Sequence, residues 1–225
     1  MPESAAHELM LFGLSFNMET LKMTWMVMAV VVIMSIVATR NMKLVPVGLQ
    51  NIFELIITSL NSQINANLGK RGVLFAPFLI SLFLFLLISN WWGLIPGMAS
   101  PTNTLNTNLG LALLVVVMLH VLGLYYKGTK YIKHFFEPFA PFVIIKLIEE
   151  IAKPITLSFR LFGNIVAGEL LIHILPKLLP NIFAEVIPGV IWLAFSTFVG
   201  IVQAFVFTML SMSYLADGVN DEEDA

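Results

Sequence analysis

Between Gly72 and Tyr126 the chain runs for about 55 residues without Asp, Glu, Lys or Arg, whereas one bilayer-spanning helix needs only ~20 apolar residues. A turn must divide this stretch. The segment GLIPGMASPTNTLNTN supplies it: Pro96, Gly97 and Pro101 break helices, and the cluster of Asn and Thr favours turns and caps. Two spans follow, near 73–95 and 108–126. Trp91 and Trp92 close the first and Tyr125 and Tyr126 the second, where an interfacial aromatic belt would place them.

The rest of the composition agrees with a membrane chain. Of 225 residues, 58% are hydrophobic and 12% charged, about half the charge of a soluble domain. Twelve basic and 14 acidic residues leave a net charge of -2 with no broad basic surface, which excludes polynucleotide binding. The absence of cysteine excludes disulfides, thiolate metal sites and cysteine nucleophiles, and leaves the compartment open. No basic n-region with a small-residue cleavage site opens the chain, so the first hydrophobic run reads as retained.

Residues 1–22, with Glu3, His7, Glu8, Glu19 and Lys22, are too polar to cross a bilayer and read as an external lead-in. A first span near 23–39 carries Trp25 at its start and Arg40 and Lys43 beyond its end. In the segment 45–68 the apolar positions Val47, Ile52, Leu55, Ile56, Leu60 and Ile64 recur at helical spacing among Gln, Asn and Glu54, which predicts an amphipathic helix at the interface. Pro138 and Pro141 mark a break. Beyond it lie two long apolar segments, 142–175 and 183–215, separated by Pro176, Pro180 and Pro188, and then an acidic tail, 217–225. Arg40/Lys43, Lys70/Arg71 and Lys127/Lys130/Lys133 all fall on one side of this layout. The positive-inside rule makes that side cytoplasmic and puts the amino terminus outside.

The segment 142–175 carries Lys146, Glu149, Glu150, Lys153, Arg160 and Glu169, too much charge for lipid on all sides, so protein or water must face it. Glu149 and Lys153 stand four apart, a favourable helical pair, and Pro154 should bend the helix without ending it. Arg160 is the costly residue. At 100° per residue, Thr156, Arg160, Gly163, Asn164 and Ala167 form one small, polar stripe that a neighbouring helix can approach closely. Glu169 lies nine residues on, about 180° away, so the two are no simple pair. Glu169 and His173 are four apart and could share a proton; His173 reads equally as an interfacial histidine. Ser196 and Gln203, seven apart, share a face of the last segment. His120 and Asn90 read as core hydrogen-bonding residues.

The sequence offers no Gly-rich loop ending in Lys-Ser/Thr, no His-Glu-x-x-His and no Gly-x-Ser-x-Gly, and hence no nucleotide, zinc or serine chemistry of its own. Three functions fit an intramembrane arginine: a channel or assembly component whose arginine faces another chain, a secondary transporter with its own midplane site, and a scaffold or enzyme that pairs the arginine internally. The transporter would show inverted repeats, and none is evident. An internal pair lacks an acid on the arginine's own face.

RLFGN followed by AGE, with Gln203 in IVQAFVFTMLSMSYL, resembles subunit a of the F-type ATP synthase, and the likeness extends to NWWGLIPG, PTNTLNTN and KPITLS. The resemblance implies an all-α integral membrane fold: about three conventional spans, an interfacial amphipathic helix, and a hairpin of two long tilted helices. It implies a noncatalytic subunit without cofactor or metal, working with a c-subunit ring and peripheral-stalk b subunits in a bacterial plasma membrane. Arg160 matches the family's essential arginine, and Asn164, Glu169 and Gln203 match polar positions of ion translocation. Departures from the pattern are Ser196, where some members have histidine, and Thr104, where some have aspartate. His173, Ser196, Asn106 and Asn108 are therefore candidate half-channel residues.

Overall fold

The computed structural model describes residues 8–11, 14–95, 98–128, 131, 142–178 and 182–219. Pro96, Gly97, Lys130, Lys133, Pro138, Pro141, Pro180 and residues 220–225, singled out above, lie outside them. The lead-in holds a short antiparallel hairpin, β1 (Glu8–Leu11) and β2 (Leu14–Asn17), with Glu8 opposite Asn17. All other regular structure among the described residues is helical.

Helix α1 (Met18–Arg40) begins where the Asn17 side chain accepts hydrogen bonds from the backbone N–H groups of Glu19 (3.0 Å) and Thr20 (3.3 Å). Glu19 in its first turn and Arg40 in its last match the helix dipole. Most of its surface is exposed, Trp25 and Ile33 among it, as a helix bathed in lipid requires.

Helix α2 (Leu49–Leu68) buries Phe53, Leu60, Ile64 and Leu68 against protein. Ile52 and Leu55 remain exposed on another side, so the apolar positions that read as one stripe divide between a packed face and an outward edge. Gln50 fastens the preceding loop: it accepts from Lys43 N (3.0 Å) and donates to Lys43 O (2.9 Å) and Glu54 Oε1 (2.7 Å).

Helix α3 (Gly72–Trp92) is apolar all round, and accordingly it is the central, most buried span. Ser100 caps a 3-10 turn at Pro101–Asn103, from which α4 (Leu105–Lys127) descends. The last two helices are long: α5 (Phe142–Leu178, 37 residues) and α6 (Ile182–Val219, 38 residues). At 1.5 Å per residue each extends about 55 Å, well beyond a hydrocarbon core of ~30 Å, so each must tilt or project from the bilayer. Pro154 and Pro176 lie inside α5 and Pro188 inside α6. Prolines 176 and 188, read from sequence as separators, thus lie inside continuous helices, within one turn of the end of α5 and in the second turn of α6, each at the loss of one i to i-4 bond.

Four described helices are long and apolar enough to cross a membrane: α1, α3, α4 and the Trp192–Val219 part of α6. Leu86, Ala112, Val115, Leu161 and Phe207 build one core cluster between α3, α4, α5 and α6. A second, formed by Ile64, Leu68, Leu79, Leu119, Met212, Leu215 and Val219, lies toward the basic ends of the helices. Helix α6 extends past Leu215 into the acidic segment because cations meet its last carbonyls. Lys127 Nζ donates to Asp217 O (2.8 Å) and Arg71 Nη1 to Val219 O.

Candidate functional site

Helices α5 and α6 pack as an antiparallel pair. Trp192 Nε1 donates to Gly168 O (3.1 Å) at one end, and Lys153 Nζ sits over the Tyr214 ring (5.3 Å) toward the other. These contacts bracket Arg160 on α5 and Gln203 on α6 near the middle of the packed length. Leu157, Ser158 and Leu161 turn inward and are buried. Thr156, Arg160, Gly163 and Ala167 turn outward and are exposed, so the small stripe around the arginine is open along its length.

Exposed apolar residues of the same helix lie away from the arginine: Ile151, Ile155 and Phe159, 54%, 41% and 55% exposed, stand about 180°, 140° and 100° around the axis from it. A methyl group added to Gly163 would meet nothing within 4 Å. Among the described residues Arg160 has no hydrogen-bond or ion-pair partner. A permanent cation on an open membrane-helix face is costly in lipid and demands a partner.

Gln203 is buried, 5% exposed, and shares its helix face with Ser196, Gly200 and Phe207. Ser196 is half-buried and lies at Gly168, where a methyl group would stand 3.9 Å from its Oγ and 3.8 Å from the Trp192 ring. Position 196 therefore faces α5 at residue 168. The side chains of Asn164, Glu169 and His173 lie outside the described residues; α5 carries all three positions within one continuous helix.

The outer-loop asparagines separate. Asn106 is exposed, whereas Asn108 is fully buried, donating from Nδ2 to Thr102 O (2.7 Å), with no hydrogen-bond partner for Oδ1 among the described residues. Around it Ser100 Oγ donates to Ser89 O (2.8 Å), and Thr102 Oγ1 donates to Asn90 Oδ1 (3.4 Å). Asn90 Nδ2 in turn donates to Gly200 O (3.0 Å), one turn from Gln203. Asn90 is thus the link from the outer loop to α6, which sequence reasoning placed only as a hydrogen-bonding residue. Thr104 turns to Thr107, hydroxyl to hydroxyl at 2.7 Å.

Toward the basic side, Lys153 pairs with Glu150 (Nζ to Oε1, 2.8 Å) rather than with Glu149. Both i+3 and i+4 spacings allow a helical pair; Glu149 is exposed and Glu150 half-buried. His120, read as a core residue, instead lies half-exposed beside Glu150, with Nε2 to Oε2 at 3.9 Å. Two helices lacking any sequence relation bring these groups together, so spacing gave no signal of it.

Fold and site together define an integral, multi-pass membrane protein of the ion-translocating kind, with an arginine presented from a long helix hairpin. The model of the ATP synthase A chain family matches residues 21–216, and the chain belongs to that family. It is 46% identical to ATP synthase subunit a of Desulforamulus reducens, over 95% of this chain and 84% of that one. With ATP synthase subunit a 2 of Syntrophotalea carbinolica it is 38% identical (88% and 84%), and with ATP synthase subunit a of Geobacter sulfurreducens 35% (88% and 86%). The chain is accordingly an ion-translocating stator subunit of a rotary ATP synthase.

Proposed function

We propose that Arg160 is the residue through which this stator acts on a rotating ring of c subunits. The observation that carries the proposal is its exposure on the Thr156–Ala167 stripe without a partner among the described residues. A ring carboxylate arriving at this face would be attracted in its ionised form. Because guanidinium keeps its proton at any working pH, it also bars direct passage of ions between two offset aqueous half-channels. Asn164, Glu169 and Gln203 are proposed to line the path, Glu169 about 180° around α5 from Arg160 and toward the outer entrance. His173, Ser196 and Asn108 are secondary candidates there. Asn106 is a weaker one, since it lies exposed on the outer loop.

The subunit itself is noncatalytic in this reading, and nucleotide chemistry belongs to other subunits. Stalk b subunits and the ring are its partners. The grouping of Arg40, Lys43, Arg71 and Lys127 at one side supports a bacterial plasma-membrane placement with the amino terminus outside and the carboxy terminus cytoplasmic. The test is the assembled synthase reconstituted in vesicles. Arg160→Ala and Arg160→Lys are expected to insert normally and lose ion-driven ATP synthesis; normal synthesis in either would remove Arg160 from the mechanism.

A further inference from the structure

We propose that Glu150 and His120 form a proton-release relay on the cytoplasmic side of the stator, with Lys153 positioning the carboxylate; the inference rests on the stator reading above. Glu150 stands ten residues before Arg160, about 15 Å along α5 toward the basic ends of the helices. Its two oxygens differ. Oε1 is held by Lys153 Nζ at 2.8 Å, while Oε2 is buried, without a hydrogen-bond partner among the described residues, and 3.9 Å from His120 Nε2 on α4. A small movement of either side chain closes that separation to a direct hydrogen bond.

The tautomer is constrained as well. His120 Nδ1 lies 2.8 Å from Val116 O, an acceptor that requires Nδ1 to carry hydrogen, so Nε2 is the nitrogen that gains and loses a proton. Exposure rises along the series: the side chains of Lys153, Glu150 and His120 are 11%, 16% and 37% exposed. Glu150 faces His120 from α4, and its charge acts on Tyr131 and on Asp217 of α6, which Lys127 of α4 also contacts; Lys146, Glu149 and Lys153, the last seated over Tyr214 of α6, lie on its own helix.

In the proposed step a proton released near Arg160 arrives at the partly exposed Glu150 side chain and adds to its carboxylate, giving the neutral acid. When the two side chains close to hydrogen-bond distance it passes directly to His120 Nε2, which restores the carboxylate and leaves an imidazolium. The imidazolium then yields the Nε2 proton to bulk water.

The experiment uses the whole synthase in vesicles with the ATP-forming side outward, ring retention being checked by mass analysis. At about pH 7 outside, Glu150→Gln is expected to lower synthesis about 10-fold, and the rate to recover toward wild type near pH 9, where hydroxide replaces the missing acceptor. His120→Gln should show a smaller loss with the same recovery, and Glu150→Asp should stay within about 2-fold of wild type. Wild-type pH profiles in both Gln variants overturn the relay, as does an equal loss at every pH, which marks a structural ion pair. If Glu150→Gln fails to hold the ring, the profile of His120→Gln decides. Arg160→Ala separates the two readings: normal synthesis in it removes the stator role of Arg160, whereas its failure beside unchanged 120 and 150 profiles removes the relay alone.

Discussion

At the scale of single residues, Tyr131 reports the field of the cluster around Glu150. Burial first, and then the nearby Glu150 and Asp217 carboxylates, push its phenol up to about 12 from 10.0. Its ring meets His120 edge-on, with centroids 6.1 Å apart. The folded chain therefore holds this proton more tightly than an unfolded one. The associated stability is fully present below pH 10.0 and is lost as pH rises through about 12. In a tyrosinate absorbance titration of the four-tyrosine chain, a late step near 12 is expected, and Tyr131→Phe should delete it. Retention of that step in the variant would assign it elsewhere. None of this was legible in sequence, because Tyr131, His120 and Glu150 meet only through folding. Arg160 was legible for the opposite reason: a cation among Phe, Leu and Ile stands out wherever the helix is placed, and helical periodicity alone groups it with Thr156, Gly163 and Ala167. Asn106 and Asn108 could not be ranked until the 3-10 turn at Pro101–Asn103 fixed where α4 begins and which asparagine points inward.

At the scale of elements, α4 and α6 approach closely because both are glycine at the crossing. A methyl group on Gly218 would lie 2.8 Å from Leu119 Cδ1, 3.1 Å from Leu119 O and 3.6 Å from Gly123 N. One on Gly123 would collide with the Tyr131 ring. Small residues permit such contacts between membrane helices, where packing substitutes for the hydrophobic drive of water. Gly218→Ala should accordingly cost about 1–3 kcal/mol through overpacking, seen as a lower melting temperature in detergent, while Gly110→Ala, with open space around it, should not. Equal melting of the two variants would mean that the crossing relaxes freely. The all-helical membrane class was readable from the uncharged run and the proline-rich turn. Element ends were harder, since Arg71, just ahead of α3, and Lys127, at the end of α4, satisfy the last carbonyls of α6 and carry it into the acidic segment. A local reading of DGVNDEEDA contains no trace of those cations.

For the whole molecule, the deciding asymmetry is between the two sides of α5. Leu157 and Leu161 join the core with Ala204 and Phe207, and the opposite side leaves Thr156, Arg160 and Gly163 open. Lipid would penalise that arrangement by several kcal/mol, so a second protein supplying carboxylates should cover it. The absence of cysteine makes the point directly testable. Single substitutions Thr156→Cys and Gly163→Cys place a thiol on the open side, and Ser158→Cys places one on the buried side, where the native hydroxyl donates to Pro154 O at 2.6 Å. With a second cysteine beside the ring carboxylate, oxidation of the assembled complex is expected to cross-link 156 and 163 to the ring and to leave 158 uncoupled. In the isolated subunit the first two should react with maleimide and the third should not. Cross-linking of 158 in preference to 163 would place the ring on the other side of α5. Arg160 would then be deprived of the carboxylates that its exposure calls for.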